Sequence, residues 1–211
     1  MERYFTQSAG CAHAKNRILC SAPRTMAAAA NNIVFIGPMG SGKSTIGKRV
    51  AIALSMDFVD CDQELERRLG VEVGLVFDIE GESGFREREN RMLTELCNRD
   101  NTIIATGGGV VMSGENCAII RRRGFVVYLE TPVQQQLDRL CLDKKRPLLQ
   151  TPDRREKLEA LALQRNPLYL GLADLTIPST SRSLAIMTRL VCRLIQEHWT
   201  PPARNKINEK N

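Results

Sequence analysis

The sequence predicts an α/β fold, a three-layer α/β/α sandwich around a five-stranded parallel sheet, on three observations. Short apolar runs alternate with longer segments of helical periodicity through the middle of the chain. The 211 residues are 43% apolar, which suits one domain with a real core. A glycine-rich loop separates the first apolar run from the first helical segment, the arrangement of a phosphate cradle.

Residues 1–30 mix Ser, Thr, Ala and basic residues with one acid and end in Ala27-Ala28-Ala29-Ala30 just after Met26. A disordered extension, an upstream start with the initiator at Met26, and an acid-poor transit peptide all fit this composition. A secretory signal does not, because no apolar core follows the charges. The apolar, partly β-branched run 33–36 reads as a buried strand. Gly37-Pro38-Met39-Gly40-Ser41-Gly42-Lys43-Ser44 then fits G-x-x-x-x-G-K-[ST], and 45–54 reads as the helix it opens. Glycines let consecutive backbone N–H groups turn inward and the helix N-terminus adds positive potential. Lys43 can reach the outer phosphates and the Ser44 hydroxyl can ligate magnesium. The expected architecture is therefore that of a P-loop NTPase binding ATP or GTP.

Further strands are expected at 57–59, 102–106, 125–129 and 173–177, with helices between them, including 63–69 and an amphipathic 183–199. Helices separating the strands cover both faces of a parallel sheet, and ligands then bind beyond the strands' carboxyl ends. There the second strand ends in Asp60-Cys61-Asp62. Side chains two apart point the same way, so both carboxylates can face the loop, one toward magnesium and one toward an acceptor hydroxyl; equally, either can simply cap the next helix. The third strand ends in Thr106-Gly107-Gly108-Gly109, either a tight turn or a place where a ligand touches backbone. Gly84-Phe85-Arg86-Glu87-Arg88-Glu89 begins a charged helix. Lys144-Lys145-Arg146-Pro147-Leu148-Leu149-Gln150-Thr151-Pro152 lies between helical patterns, as a mobile lid over about 142–153 would. Composition alone favours a solvated face for each of these arginines.

The net charge of +6 does not indicate a nucleic-acid partner. Residues 1–30 carry Arg3, Lys15, Arg17 and Arg24 against Glu2, and the polar tail 201–211, expected to be disordered, carries Arg204, Lys206 and Lys210 against Glu209. A polyanion footprint should lie on the folded face instead. No run approaches the roughly 18 apolar residues of a membrane span, so a soluble protein is expected. Seven cysteines at irregular spacing, without a C-x-x-C pair, suggest neither a disulfide framework nor a zinc site and fit a reducing, cytoplasmic setting.

Together these residues resemble the shikimate kinase family over roughly 31–198. The resemblance rests on the P-loop through Gly47, Asp60-x-Asp62, Val76-Phe77-Asp78 with Gly84-Phe85-Arg86, Ala105-Thr106-Gly107-Gly108-Gly109, Val127-Tyr128-Leu129, Arg146-Pro147-Leu148-Leu149 and Arg165-Asn166-Pro167-Leu168-Tyr169. It implies a kinase domain at 31–200 that transfers the γ-phosphoryl of ATP to the 3-hydroxyl of shikimate, a step of chorismate and aromatic amino-acid biosynthesis. By the same resemblance Arg86 and Arg165 would grip the substrate carboxylate, with Glu89 orienting Arg86. Asp62 would hydrogen-bond the ring hydroxyls, and Gly108 and Gly109 would offer backbone. ATP would lie on Gly40, Ser41, Gly42, Lys43, Ser44 and Thr45, with Arg139 and Arg182 near the base and Lys43 and Arg146 on the transferring phosphoryl. One Mg2+ per subunit would be held by Ser44 and Asp60, and the family is usually monomeric. Cys61 replaces a common Ser or Thr and should point away from the substrate. Another small-molecule kinase, such as a gluconate or nucleoside-monophosphate kinase, would leave the Asp60, Asp62, Arg86 and Arg165 set unexplained. A nucleotide-binding module would show acceptor-independent hydrolysis.

Overall fold

The structure is a computed structural model that describes the backbone of residues 19–20 and residues 30–141, 153–179 and 183–201. In chain order the strands are β1 (Leu19–Cys20), β2 (Asn32–Ile36), β3 (Asp57–Asp60), β4 (Thr102–Ala105), β5 (Gly124–Glu130) and β6 (Leu175–Pro178). The α-helices are α1 (Lys43–Leu54), α2 (Cys61–Leu69), α3 (Val73–Cys97), α4 (Gly114–Arg123), α5 (Val133–Leu140), α6 (Arg154–Leu172) and α7 (Leu184–His198).

The sheet runs β1-β6-β5-β2-β4-β3. β2 lies at its centre, pairing in parallel with β4 (Ile33 opposite Ile103) and β5 (Ile33 opposite Phe125). β3 and β6 extend the parallel pairing on either side. The parallel sheet is the expected one. Beside it, Leu19–Cys20, within the stretch expected to be disordered, pairs antiparallel with β6 at the edge.

Alternation along the strands divides the core in two. Val34, Ile36, Ile104, Val126 and Tyr128 pack against residues of α2, α3, α4 and α6. Ile33, Phe35, Ile103, Val127 and Leu129 pack against α1 and α7 on the other face. Both faces are thus buried, which is why these strands read as unbroken apolar runs. Asn32, 1% exposed, fastens the amino end of β2: its Nδ2 donates to the carbonyls of Cys97 at 3.1 Å and Arg99 at 2.6 Å, and its Oδ1 accepts from Thr102 N at 3.0 Å.

Among the boundaries that differ from expectation, two have a local cause. α3 is broken at Gly81 (φ 69°, ψ −176°), so the charged helix bearing Arg86 starts afresh just after it, earlier than Gly84. β6 begins at Leu175 because α6 continues to Leu172, through Pro167, and Ala173 closes that helix.

Candidate active site

The carboxyl ends of β2, β3 and β4 meet on one side of the sheet. After β2, the loop to α1 closes on Gly42, which has φ 92° and no side-chain cap, and α1 has no acid in its first turn. Its first backbone N–H groups are therefore left to an anion. Lys43, 8% exposed, folds over the loop, its Nζ donating to Gly37 O and Pro38 O at 2.8 Å each and to Ser41 Oγ at 3.3 Å. Gly40 and Ser41 complete the loop, and Thr45 is exposed on the first turn of α1.

Asp60 does both things its sequence position allowed. Oδ1 caps α2, accepting from the N–H groups of Asp62 at 3.0 Å and Gln63 at 3.2 Å, while Oδ2 accepts the Ser44 hydroxyl across the loop. Ser44 and Asp60 thus present a pair of hard oxygens beside the phosphate cradle, a donor set that suits magnesium and not a soft metal. Among the described residues no group of three or more His, Cys, Asp and Glu side chains could hold a metal, and a Mg2+ shared with substrate phosphates does not need one. Between the aspartates Cys61, 3% exposed, turns into the core, where burial first and the neighbouring carboxylates next push its thiol pKa well up.

After β4, Thr106 ties its turn to the P-loop strand, donating from N at 3.1 Å and from Oγ1 at 3.0 Å to Phe35 O. Each glycine that follows receives a side chain from a different helix. A Cβ on Gly107 would lie 2.9 Å from Asp62 Oδ1, and one on Gly109 would lie 2.6 Å from Arg86 Nη2. The Gly108 carbonyl accepts from Arg165 Nη1 at 3.4 Å and from the Tyr169 hydroxyl. A Cβ on Gly108 would also be 3.5 Å from Met39 N, so the turn lies against the P-loop itself. Close approach therefore bears on Gly107 and Gly109, whereas a Cβ on Gly108 would make only an ordinary contact.

Arg86 and Glu89 face inward while the charged residues Glu87 and Arg91 do not. The Arg86 side chain is 21% exposed and Glu89 4%, against 66% for Glu87 and 74% for Arg91. Arg86 Nη1 donates to Glu89 Oε2 at 2.9 Å, and the same oxygen accepts Asn116 Nδ2 at 3.2 Å. Burial pushes the Glu89 carboxyl above its ordinary range; Arg86 pulls it back, Asp62 raises it further, and Asn116 opposes that. Arg165 Nε is buried without a hydrogen-bond partner among the described residues. Tyr169, fully buried and stacked on Tyr128 at 5.0 Å, has its pKa raised to about 12 by burial, so it stays a hydrogen-bond donor.

Arg139 lies on the P-loop, its Nη1 donating to Gly40 O at 2.9 Å and Ser179 Oγ at 3.0 Å. Arg146, Arg182 and nearly all of the lid stretch 142–153 fall outside the described residues. The structure also adds residues to which the sequence reading gave no role. Gly107 seats Asp62, Asn116 holds Glu89, Tyr169 holds Gly108, and Ser179 joins Arg139 to the loop. Of these, Tyr169 and Gly107 had a signal, as members of the Arg165-to-Tyr169 and Ala105-to-Gly109 motifs.

The shikimate kinase family model matches residues 39–195. The chain belongs to the shikimate kinase family. A shikimate kinase of Pasteurella multocida (strain Pm70) is 52% identical over 165 residues, 78% of this chain and 94% of the relative. Shikimate kinase 1 of Yersinia pestis (strain Pestoides F) is 49% identical over 168 residues, 79% of this chain and 97% of the relative. Among solved structures, a shikimate kinase from Acinetobacter baumannii in complex with shikimate superposes with a TM-score of 0.76 at 40% identity, covering 85% of this chain and 96% of that one. The P-loop follows β2, Asp60 ends β3 and reaches Ser44 on α1, and Asp62, Arg86 and Arg165 meet on the turn after β4. No helix among the described residues is long and apolar enough to cross a membrane.

Proposed function

We propose that this protein phosphorylates shikimate, moving the γ-phosphoryl of ATP to the 3-hydroxyl and releasing shikimate 3-phosphate and ADP, a step toward chorismate and the aromatic amino acids. The observation that carries this reading is the convergence of Asp62, Arg86 and Arg165 on Gly107, Gly108 and Gly109, against the P-loop. Two guanidinium forks beside a carboxylate suit a small ring bearing one carboxylate and several hydroxyls.

Arg86 and Arg165 fix the substrate carboxylate, each planar fork setting an angle as well as supplying a charge. The buried Arg165 Nε has a donor left for that purpose. Glu89 keeps Arg86 in place. Asp62 accepts from the ring hydroxyls and aligns the attacking oxygen; a loose transition state asks little of the nucleophile until late, so orientation is its larger task. The new bond joins the 3-oxygen to the γ-phosphorus, the bond from that phosphorus to the β-phosphate oxygen breaks, and the hydroxyl proton leaves toward Asp62 or solvent. Gly40 to Thr45 cradle the phosphates, Lys43 and Arg146 balance charge on the transferring group, and Arg139 and Arg182 flank the nucleotide base. Ser44 and Asp60 would hold a Mg2+, which when bound neutralises phosphate charge. The working unit in this reading is a monomer, as is usual in the family. A cytoplasmic setting suits the five described cysteines, all free thiols.

The test is ADP release by a coupled assay with MgATP and shikimate, beside gluconate, a nucleoside monophosphate and no acceptor, with Lys43→Ala as control. Saturable turnover with shikimate alone, lost in the control, is the expected result. Turnover only with another acceptor, or hydrolysis indifferent to any acceptor, would overturn it.

A further inference from the structure

Ser179 follows β6, two strands away from the P-loop strand, yet its side chain serves the loop. It is 2% exposed and fixed by three hydrogen bonds: its N–H donates to Glu130 O at 2.7 Å, its Oγ donates to Ser41 O at 3.0 Å, and the same Oγ accepts Arg139 Nη1 at 3.0 Å. Arg139 Nη1 also donates to Gly40 O at 2.9 Å. Two consecutive carbonyls of the phosphate cradle are therefore held from outside the loop, by α5 and by the chain leaving β6.

A trans peptide unit points its carbonyl and its N–H in opposite directions. Holding the Ser41 carbonyl against Ser179 therefore aims the Gly42 N–H the other way. Gly42 is the cap of α1, in the left-handed region at φ 92°, where glycine's backbone freedom leaves the peptide plane to be set by its neighbours. We propose that Ser179 is a positioning residue for the nucleotide: its hydroxyl fixes the peptide plane that presents the Gly42 N–H to the phosphates and holds Arg139 in register with it. This rests on the nucleotide-binding part of the function proposed above. It makes one buried hydroxyl the link between the loop that grips phosphate and the arginine beside it.

The test compares Ser179→Thr with Ser179→Val in the full chain, two side chains of nearly equal shape of which only the first carries a hydroxyl. Affinity for a fluorescent ADP analogue is measured by titration without shikimate, and KM for ATP and for shikimate by coupled assay. The Val variant should weaken the ADP analogue and raise the ATP KM roughly five- to tenfold or more, as the loss of the two hydrogen bonds of Oγ predicts. Its shikimate KM should move less than twofold, and the Thr variant should stay within twofold of wild type throughout. Equal nucleotide affinity in the two variants would overturn the proposal. So would a shikimate KM that rises in step with that for ATP, the mark of general damage to the fold. Because the ADP titration needs no acceptor, it still decides the matter if the acceptor is not shikimate.

Discussion

Neutralising Glu89 while keeping its shape, as Glu89→Gln, tests how the acceptor pocket is held. The carboxylate accepts Arg86 at 2.9 Å, and the other partner of Arg86, Glu82, is 70% exposed and too well solvated to replace it. A hydrogen bond to a charged group contributes about 1.5–3 kcal/mol and a neutral one about 0.5–1.5. The substitution thus loosens Arg86 by about 1–1.5 kcal/mol, roughly a tenfold fall in kcat/KM for shikimate. The ATP KM should not move, since Arg86 and Glu89 lie on α3 while the P-loop leads into α1. The pH dependence has opposite signs for stability and for binding. Burial raises the folded pKa of Glu89 above its ordinary 4.5, so the folded state binds the extra proton between those values. Its contribution to stability is full below the ordinary value and falls as pH rises through the folded one. Arg86, by contrast, is held by the ionised form, so shikimate affinity improves over that same rise. In the Glu89→Gln variant the Glu89 part of this acid limb disappears, and the urea midpoint at neutral pH stays level or rises. A shikimate kcat/KM within twofold of wild type, or an ATP KM that climbs equally, would refute the reasoning.

Asp62→Asn is expected to lower turnover by roughly 100-fold or more, on the scale of a lost orienting or proton-accepting carboxylate; near-normal turnover would remove that role. Arg165→Lys keeps the charge and loses the fork, so the shikimate KM should rise with the ATP KM preserved, and an unchanged shikimate KM would take Arg165 out of the carboxylate clamp. Tyr169→Phe strips one donor from the Gly108 carbonyl while keeping the ring stack, and should cost roughly fivefold in kcat/KM for shikimate. Asn32→Ala leaves the buried Cys97 carbonyl, the Arg99 carbonyl and the Thr102 N–H without that partner, and should lower stability by about 2–4 kcal/mol in urea denaturation with both KM values unchanged.

The strands at 33–36, 102–106 and 125–129 were legible because a parallel strand buried on both faces is an unbroken apolar run. The P-loop was legible because its chemistry is local. Glu89 could be paired with Arg86 because the two lie one turn apart on a helix. What escaped was long-range or irregular. The hydrogen bond from Ser179 to Ser41 spans 138 positions and that from Tyr169 to Gly108 spans 61, and no periodicity announces either. The break at Gly81 had no such signal, and the charged helix was expected to begin only at Gly84. Leu19–Cys20 is too short to alternate, so only the exposed edge of β6 makes it a strand. Asp60 was ambiguous in sequence because its two oxygens do two jobs.

The turn Gly107-Gly108-Gly109 carries no functional group, yet a residue from α2, one from α3 and two from α6 rest on it. In a saturation scan scored by growth on shikimate flux, the least tolerant positions of the acceptor pocket would therefore include residues with nothing to contribute but room. A methyl group would meet Asp62 at Gly107 and Arg86 at Gly109, while at Gly108 it would make only an ordinary contact. Variants at Gly107 and Gly109 would fail even as alanine, the first by displacing Asp62 and the second by displacing Arg86. An inhibitor that held this floor would be difficult to escape by mutation.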